Sequence, residues 1–265
     1  SGTVIVMDPK TGAILAQASA PTFDPADKKT ITLDSIRNPA VQDIYDPGST
    51  GKVITVAAAL EEHKTTPTSV FTIPYQLKVG SQTYHDHERH ATERLTTTGL
   101  LAVSSNTGAI QVGQSLGAQS LHDYLTKFGI GQNTGSHLPG ESAGLLLPLD
   151  KWSDSTLPTN SFGQGYSVTA LQATSVFATI ANDGVRVPPT VVAGTTDASG
   201  NFSPAKQGGS QRVISAATAQ ELRGMLESVV SENGTAPSAA IPGYRVAGKT
   251  GTAQRFNEKC KCYAG

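Results

Sequence analysis

Ser49 and Lys52 are the first residues along the chain whose types and spacing can do chemistry. They sit in Tyr45-Asp46-Pro47-Gly48-Ser49-Thr50-Gly51-Lys52, directly before the apolar run 53–60. An Asp-Pro-Gly turn leading into Ala, Val and Leu predicts that Ser49 lies at or next to the first turn of a helix. Lys52 then follows three residues later on the same face. A serine there sits among unpaired backbone N–H groups, at the positive end of the helix dipole. A lysine desolvated enough to be neutral can take its proton and make it a nucleophile.

Acyl transfer also needs a proton shuttle, an oxyanion hole and a clamp for the substrate. Ser104-Ser105-Asn106 lies at the junction of two helical patterns, and Lys249-Thr250-Gly251-Thr252 lies on an expected late strand. Ser104 can relay a proton to a leaving amine, and Asn106 can donate to and accept from a substrate amide. Lys249 adds charge that depresses the pKa of a nearby lysine and attracts an anionic substrate. Gly251 lets the backbone approach the substrate, while the Thr250 and Thr252 hydroxyls can bind a carboxylate. The backbone N–H groups of Ser49 and Thr252 are candidates for the oxyanion hole.

Each pattern alone is weak. Ser203-Pro204-Ala205-Lys206 repeats the first, Ser199-Gly200-Asn201 and Ser231-Glu232-Asn233 repeat the second, and Lys10-Thr11-Gly12 repeats the third. These copies fall in a polar linker, after a helix end and in a hairpin turn, where such residues are expected anyway. Only the set at 49, 104 and 249 combines a helix start, a helix junction and a strand in that order.

The elements that must position this set read as α+β. Residues 3–18 form a β-hairpin around Asp8-Pro9-Lys10-Thr11-Gly12. The helix after Ser49 runs to about Glu62. Short strands are expected at 70–73 and 76–79, and helices at 96–103, 106–115, 121–128, 168–181 and 215–230. Residues 131–165 read as a long irregular segment lining a site, 185–192 as extended, 195–210 as a polar linker and 243–254 as a strand. Helices against a mainly antiparallel sheet follow from that order.

The chain has 265 residues, a net charge of -1 and 15% charged residues, which argues against nucleic acid as a partner. No run of about eighteen apolar residues appears, and 1–20 lack a signal-peptide pattern. His85-Asp86-His87-Glu88-Arg89-His90 is either a metal site or a solvated loop. Cys260 and Cys262 are free or structural thiols, a small strained disulfide ring or half a metal site. The acyl-transfer chemistry itself calls for no cofactor.

The three patterns are those associated with penicillin-binding proteins and class A β-lactamases. From end to end the chain resembles the transpeptidase domain of a class B penicillin-binding protein of the division or elongation type. The resemblance is carried by 2–25, 45–52, 104–108, 161–169, 181–189 and 248–254. It implies a β-lactamase/transpeptidase-like fold, with an antiparallel sheet packed by helices and an all-helical subdomain, over one domain at 1–265. It implies D,D-transpeptidation of peptidoglycan stem peptides through Ser49, and covalent inhibition by β-lactams. Glycosyltransferase and division or elongation proteins are the implied partners, at the extracytoplasmic face of a bacterial membrane. Two more strands and a helix would follow the third pattern, and a pedestal and anchor would precede the chain. On this reading the chain is truncated. The Cys-x-Cys resembles an actinobacterial variant. The rival readings are a serine β-lactamase, for which Glu141 is the candidate deacylation base, and a non-catalytic β-lactam sensor or division scaffold.

Overall fold

A computed structural model describes residues 2–33, 35–205 and 208–252, with the strand backbones of 255–257 and 262–264. The chain opens in the expected hairpin. Strand β1 (Gly2–Met7) pairs antiparallel with β2 (Ile14–Ala20), and the Gly12 N–H donates to Asp8 O to tie the turn. Helix α1 (Pro39–Gln42) begins on a proline, which suits the first helical position. A tight turn, Gly48–Gly51, leads into α2 (Lys52–Glu61). Strands β3 (Val70–Ile73), β4 (Gln76–Val79), β5 (Gln82–His85) and β6 (Glu93–Thr96) follow. Then come α3 (Thr97–Ala102), α4 (Asn106–Leu116), α5 (Ala118–Lys127), α6 (Thr156–Ser161) and α7 (Ala170–Ala181). The chain continues through β7 (Val185–Arg186), β8 (Gly194–Thr196), β9 (Phe202–Pro204), β10 (Gln211–Arg212), α8 (Ala216–Glu227), β11 (Arg255–Asn257) and β12 (Cys262–Ala264).

Helix α2 is the axis of the larger core. Every residue from Lys52 to Leu60 is buried. A helix apolar on all sides belongs inside a bundle, and the small side chains of Ala57, Ala58 and Ala59 let α4, α5 and α8 close around it. Val53, Val56, Leu101, Leu125, Phe128 and Leu222 belong to this core. The β1–β2 hairpin lies against α1 and α7 over a smaller core of Ala40, Val41 and Leu171. Helices packed with antiparallel pairs make the fold α+β, as expected.

The described strands pair two by two, as β1–β2, β3–β6, β4–β5, β8–β9, β7–β10 and β11–β12, and no described sheet is wider. Of the strand expected over 243–254, the described residues 243–252 carry no ladder. A strand needs a partner, and here the segment is tied instead by Gly248 N–H to Leu226 O and by the Thr235 and Thr250 hydroxyls, 2.7 Å apart. The irregular 131–165 contains α6, six residues long with Pro158 inside it and too short for periodicity to reveal. The linker 195–210 contains the β8–β9 hairpin, whose turn is closed by Ser199 N–H, Asn201 N–H and Asn201 Nδ2 donating to Asp197. The loop read at 85–93 is mostly exposed, but its second residue, Asp86, is buried, 6% exposed. The state of Cys260 and of the Cys262 side chain lies outside the described residues.

Candidate active site

The turn that carries Ser49 is clamped from behind. Tyr45 and Val168 exchange backbone hydrogen bonds of 3.0 and 2.9 Å, and Gly48 N–H donates to Gly163 O at 2.9 Å. Gly163 has φ +88°, and a Cβ there would lie 1.8 Å from Gly48 O, so only glycine permits this approach. Within the turn, the Thr50 hydroxyl donates to Pro47 O at 2.7 Å. Residues 161–169, to which sequence reading assigned no chemistry, therefore hold Ser49 in place. Their glycine density was the available signal, since glycines cluster where backbones meet.

The three sequence patterns converge on one hydroxyl and two amines. Lys52 is 0% exposed. Its Nζ lies 3.0 Å from Ser49 Oγ, 2.5 Å from Ser104 O and 3.3 Å from Ser104 Oγ. Burial, then the charge of Lys249, pushes the Lys52 pKa well below its ordinary value, while Asp86 pulls the other way. A neutral amine has two N–H groups and one lone pair. The carbonyl of Ser104 can only accept, so an N–H points there, and the lone pair is available to the Ser49 proton. Lys249 Nζ donates to Ser104 Oγ at 2.8 Å and to Thr250 O at 3.1 Å, and burial lowers its pKa to about 8.

Ser104 sits where it does because α3 ends in a left-handed cap. Its φ is 61°. Ser104 N–H donates to Leu101 O and Ser105 N–H to Leu100 O, the paired bonds of a Schellman motif, in which glycine usually takes this position. Ser105 then caps α4 by accepting from Gly108 N–H at 2.9 Å. One helix ends and the next begins within two residues, and Ser104 is the residue turned toward the lysines.

Ser49, Ser104, Asn106, Thr250 and Thr252 all line a cleft of about 810 Å³. The Asn106 side chain faces away from the two lysines' hydrogen bonds: its Nδ2 donates to His85 O at 3.0 Å on the cleft wall. Gly251 is needed for a different contact from the one expected. A Cβ there would meet Thr50 Cγ2 at 2.8 Å, so its close approach is to the Ser49 turn. Asp86, also on the wall, was missed: it accepts from Ser105, Asn106 and Thr107 at the start of α4. No local signal marks a contact that spans 19 to 21 residues. Glu141 accepts from Thr134 N–H, the Thr134 hydroxyl and Ser136 Oγ in its own loop, away from the Ser49 cleft, so it is not placed as a deacylation base. Among the described residues no group of three or more His, Cys, Asp or Glu is placed to hold a metal ion.

Comparison with known proteins agrees with this geometry. The family model of the penicillin binding protein transpeptidase domain matches residues 2–265. Penicillin-binding protein PbpB of Mycobacterium tuberculosis is 43% identical over 98% of this chain and 40% of its own length. Peptidoglycan D,D-transpeptidase FtsI of Escherichia coli is 34% identical over 96% of this chain and 41% of its own. The crystal structure of penicillin binding protein 3 from M. tuberculosis complexed with aztreonam superposes with a TM-score of 0.94 at 43% identity. That match covers 98% of this chain and 60% of that one. The chain thus spans about two fifths of the curated relatives it matches. With three patterns meeting at Ser104 in that fold, the chain belongs to the penicillin-binding protein transpeptidase domain family.

Proposed function

We propose that the chain is a serine D,D-transpeptidase domain, one unit over 1–265, that acts on peptidoglycan stem peptides and is acylated by β-lactams. The observation that supports this most is Lys52 Nζ, fully buried, 3.0 Å from Ser49 Oγ and in contact with Ser104. Ser49 Oγ attacks the carbonyl carbon of the penultimate D-Ala, and Lys52 takes its proton. The N–H groups of Ser49 and Thr252 receive the oxyanion. The C–N bond breaks, Ser104 passes a proton to the leaving D-Ala amine, and the amine of a neighbouring strand resolves the ester. Lys249, Thr250 and Thr252 hold the terminal carboxylate, Asn106 holds the amide of the donor peptide, and Gly251 keeps their segment close to the nucleophile turn.

Relatives named penicillin-binding protein and peptidoglycan D,D-transpeptidase support the reaction class. The domain then works at the extracytoplasmic face of the bacterial membrane, with a glycosyltransferase and division or elongation proteins. Among the described residues no helix is long and apolar enough to cross a membrane, so on this reading the anchor is a separate segment. The test is intact mass after incubation with benzylpenicillin, followed by peptide mapping. One adduct per chain on the Ser49 peptide is expected, and none in Ser49→Ala. An adduct that persists in Ser49→Ala overturns the assignment.

A further inference from the structure

Asp86 joins the N-cap and first two residues of α4 to a strap about twenty positions earlier in the chain. Its Oδ1 accepts from the backbone N–H groups of Asn106 at 2.5 Å and Thr107 at 2.9 Å. Its Oδ2 accepts from Ser105 Oγ at 2.8 Å and lies 3.4 Å from Thr107 Oγ1 and 3.1 Å from His90 Nε2. The neighbouring His85 O receives the Asn106 side-chain amide. A helix start does not require all of this, because Ser105 already caps α4 through Gly108 N–H. Every residue after Ser104 in the motif is tied to the strap, so α4 cannot slide or rotate without breaking several bonds at once.

The strap is itself anchored. Asp86 N–H donates to Tyr75 O at 3.0 Å, β5 pairs with β4, and the Tyr75 ring lies 5.8 Å from His85 and 5.9 Å from His90. We propose that Asp86 is a positioning residue that sets the 104–106 loop, and with it the Ser104 hydroxyl between the two lysines, with His90 as its outer brace. This rests on the proposed acyl transfer and adds a residue that never touches substrate. The charged groups around it are His90, Glu93 (3.2 Å from His90 Nδ1), Arg89 over the Tyr75 ring, and Lys52, whose pKa Asp86 raises.

The test is stopped-flow acylation of the purified chain by benzylpenicillin from pH 5 to 9, separating the acylation rate constant from the pre-covalent dissociation constant. In Asp86→Asn the rate constant should fall about tenfold or more, since displacement by a fraction of an ångström is costly in a relay. The dissociation constant should stay within about threefold, because Asp86 does not bind substrate. The acid limb should move to lower pH, because the Asp86 field no longer raises the Lys52 pKa, an effect that mere loss of stability would not produce. A variant that acylates within about twofold of wild type with an unmoved limb overturns the proposal. If Asp86→Asn does not fold by near-ultraviolet circular dichroism, Ser105→Ala decides. A rate constant about threefold or more below wild type supports the tie to Asp86, and a smaller change overturns it. Wild type that forms no Ser49 adduct would instead remove the acyl-transfer reading itself.

Discussion

Ser104→Gly and Ser104→Ala should separate stability from activity at the hydroxyl where the lysines meet. Both remove the oxygen that Lys249 reaches at 2.8 Å and Lys52 at 3.3 Å, so the lost hydrogen bonds are common to the two. They differ in the Cβ, at a residue with φ 61°. Holding a non-glycine residue in that region costs about 1–2 kcal/mol. Glycine removes that strain but adds about 0.4–1 kcal/mol of freedom to the unfolded chain. The difference is about 0.5–1 kcal/mol in favour of glycine, the reverse of the order inside a helix. For a chain of this size that is about 1–4 °C in melting midpoint. Thermal unfolding of both variants in one buffer reads it, and benzylpenicillin acylation of the same samples should be at least about 100-fold slower than wild type. An alanine variant as stable as the glycine one would refute the left-handed cap as the state the native chain holds. Acylation within about tenfold of wild type would refute the relay.

Three further outcomes follow from named contacts. Acylation by benzylpenicillin, which carries a carboxylate, should decline above about pH 8 as Lys249 loses its proton. Lys249→Arg, which stays charged, should lack that decline in a pH–rate profile. Lys52 has a depressed folded pKa, so between that value and 10.5 the unfolded state binds more protons and wild-type stability falls as pH is lowered. Lys52→Met should remove this slope, with a melting advantage over wild type that grows from pH 9.5 to pH 7 and no Ser49 adduct in the mass spectrum. Gly163→Ala should lower stability by about 2 kcal/mol or more in urea unfolding and slow acylation, because its Cβ would strike Gly48 O behind the nucleophile.

What was legible in the sequence was local. The hairpin turn at Asp8 to Gly12, the apolar run after Lys52 and the helix junction at 104–106 each announce themselves within a few residues, and the structure has all three. Ser49, Ser104 and Lys249 were legible as types at spacings, and the structure brings them within hydrogen-bonding distance. What failed was non-local. Lys249 was given a strand over 243–254, but a ladder depends on a neighbour that the segment's own residues do not specify. Asp86 looked like one more solvated charge among histidines. It is held by four donors on Ser105, Asn106 and Thr107 and one on His90, a set that no local pattern can show.

The same contacts order the proton's path in the proposed reaction. Two amines face one hydroxyl, and they do not compete equally for a proton. Lys52 is fully buried and feels the charge of Lys249, whereas Lys249 is held only to about 8. Groups whose surroundings push their pKa values apart divide the acid and base roles between them. In the proposed reaction the resting proton then stays on Lys249, and Lys52 serves as the base. Once Lys52 takes the Ser49 proton, it becomes an ammonium in a buried site beside a second cation, a state that burial and repulsion both disfavour. The ready exit is Ser104 Oγ, 3.3 Å away, and from there the leaving amine. Asp86 is the acidic group whose field eases that transient charge. It thus acts twice on the same step, by fixing the hydroxyl that receives the proton and by lowering the energy of the lysine that gives it up.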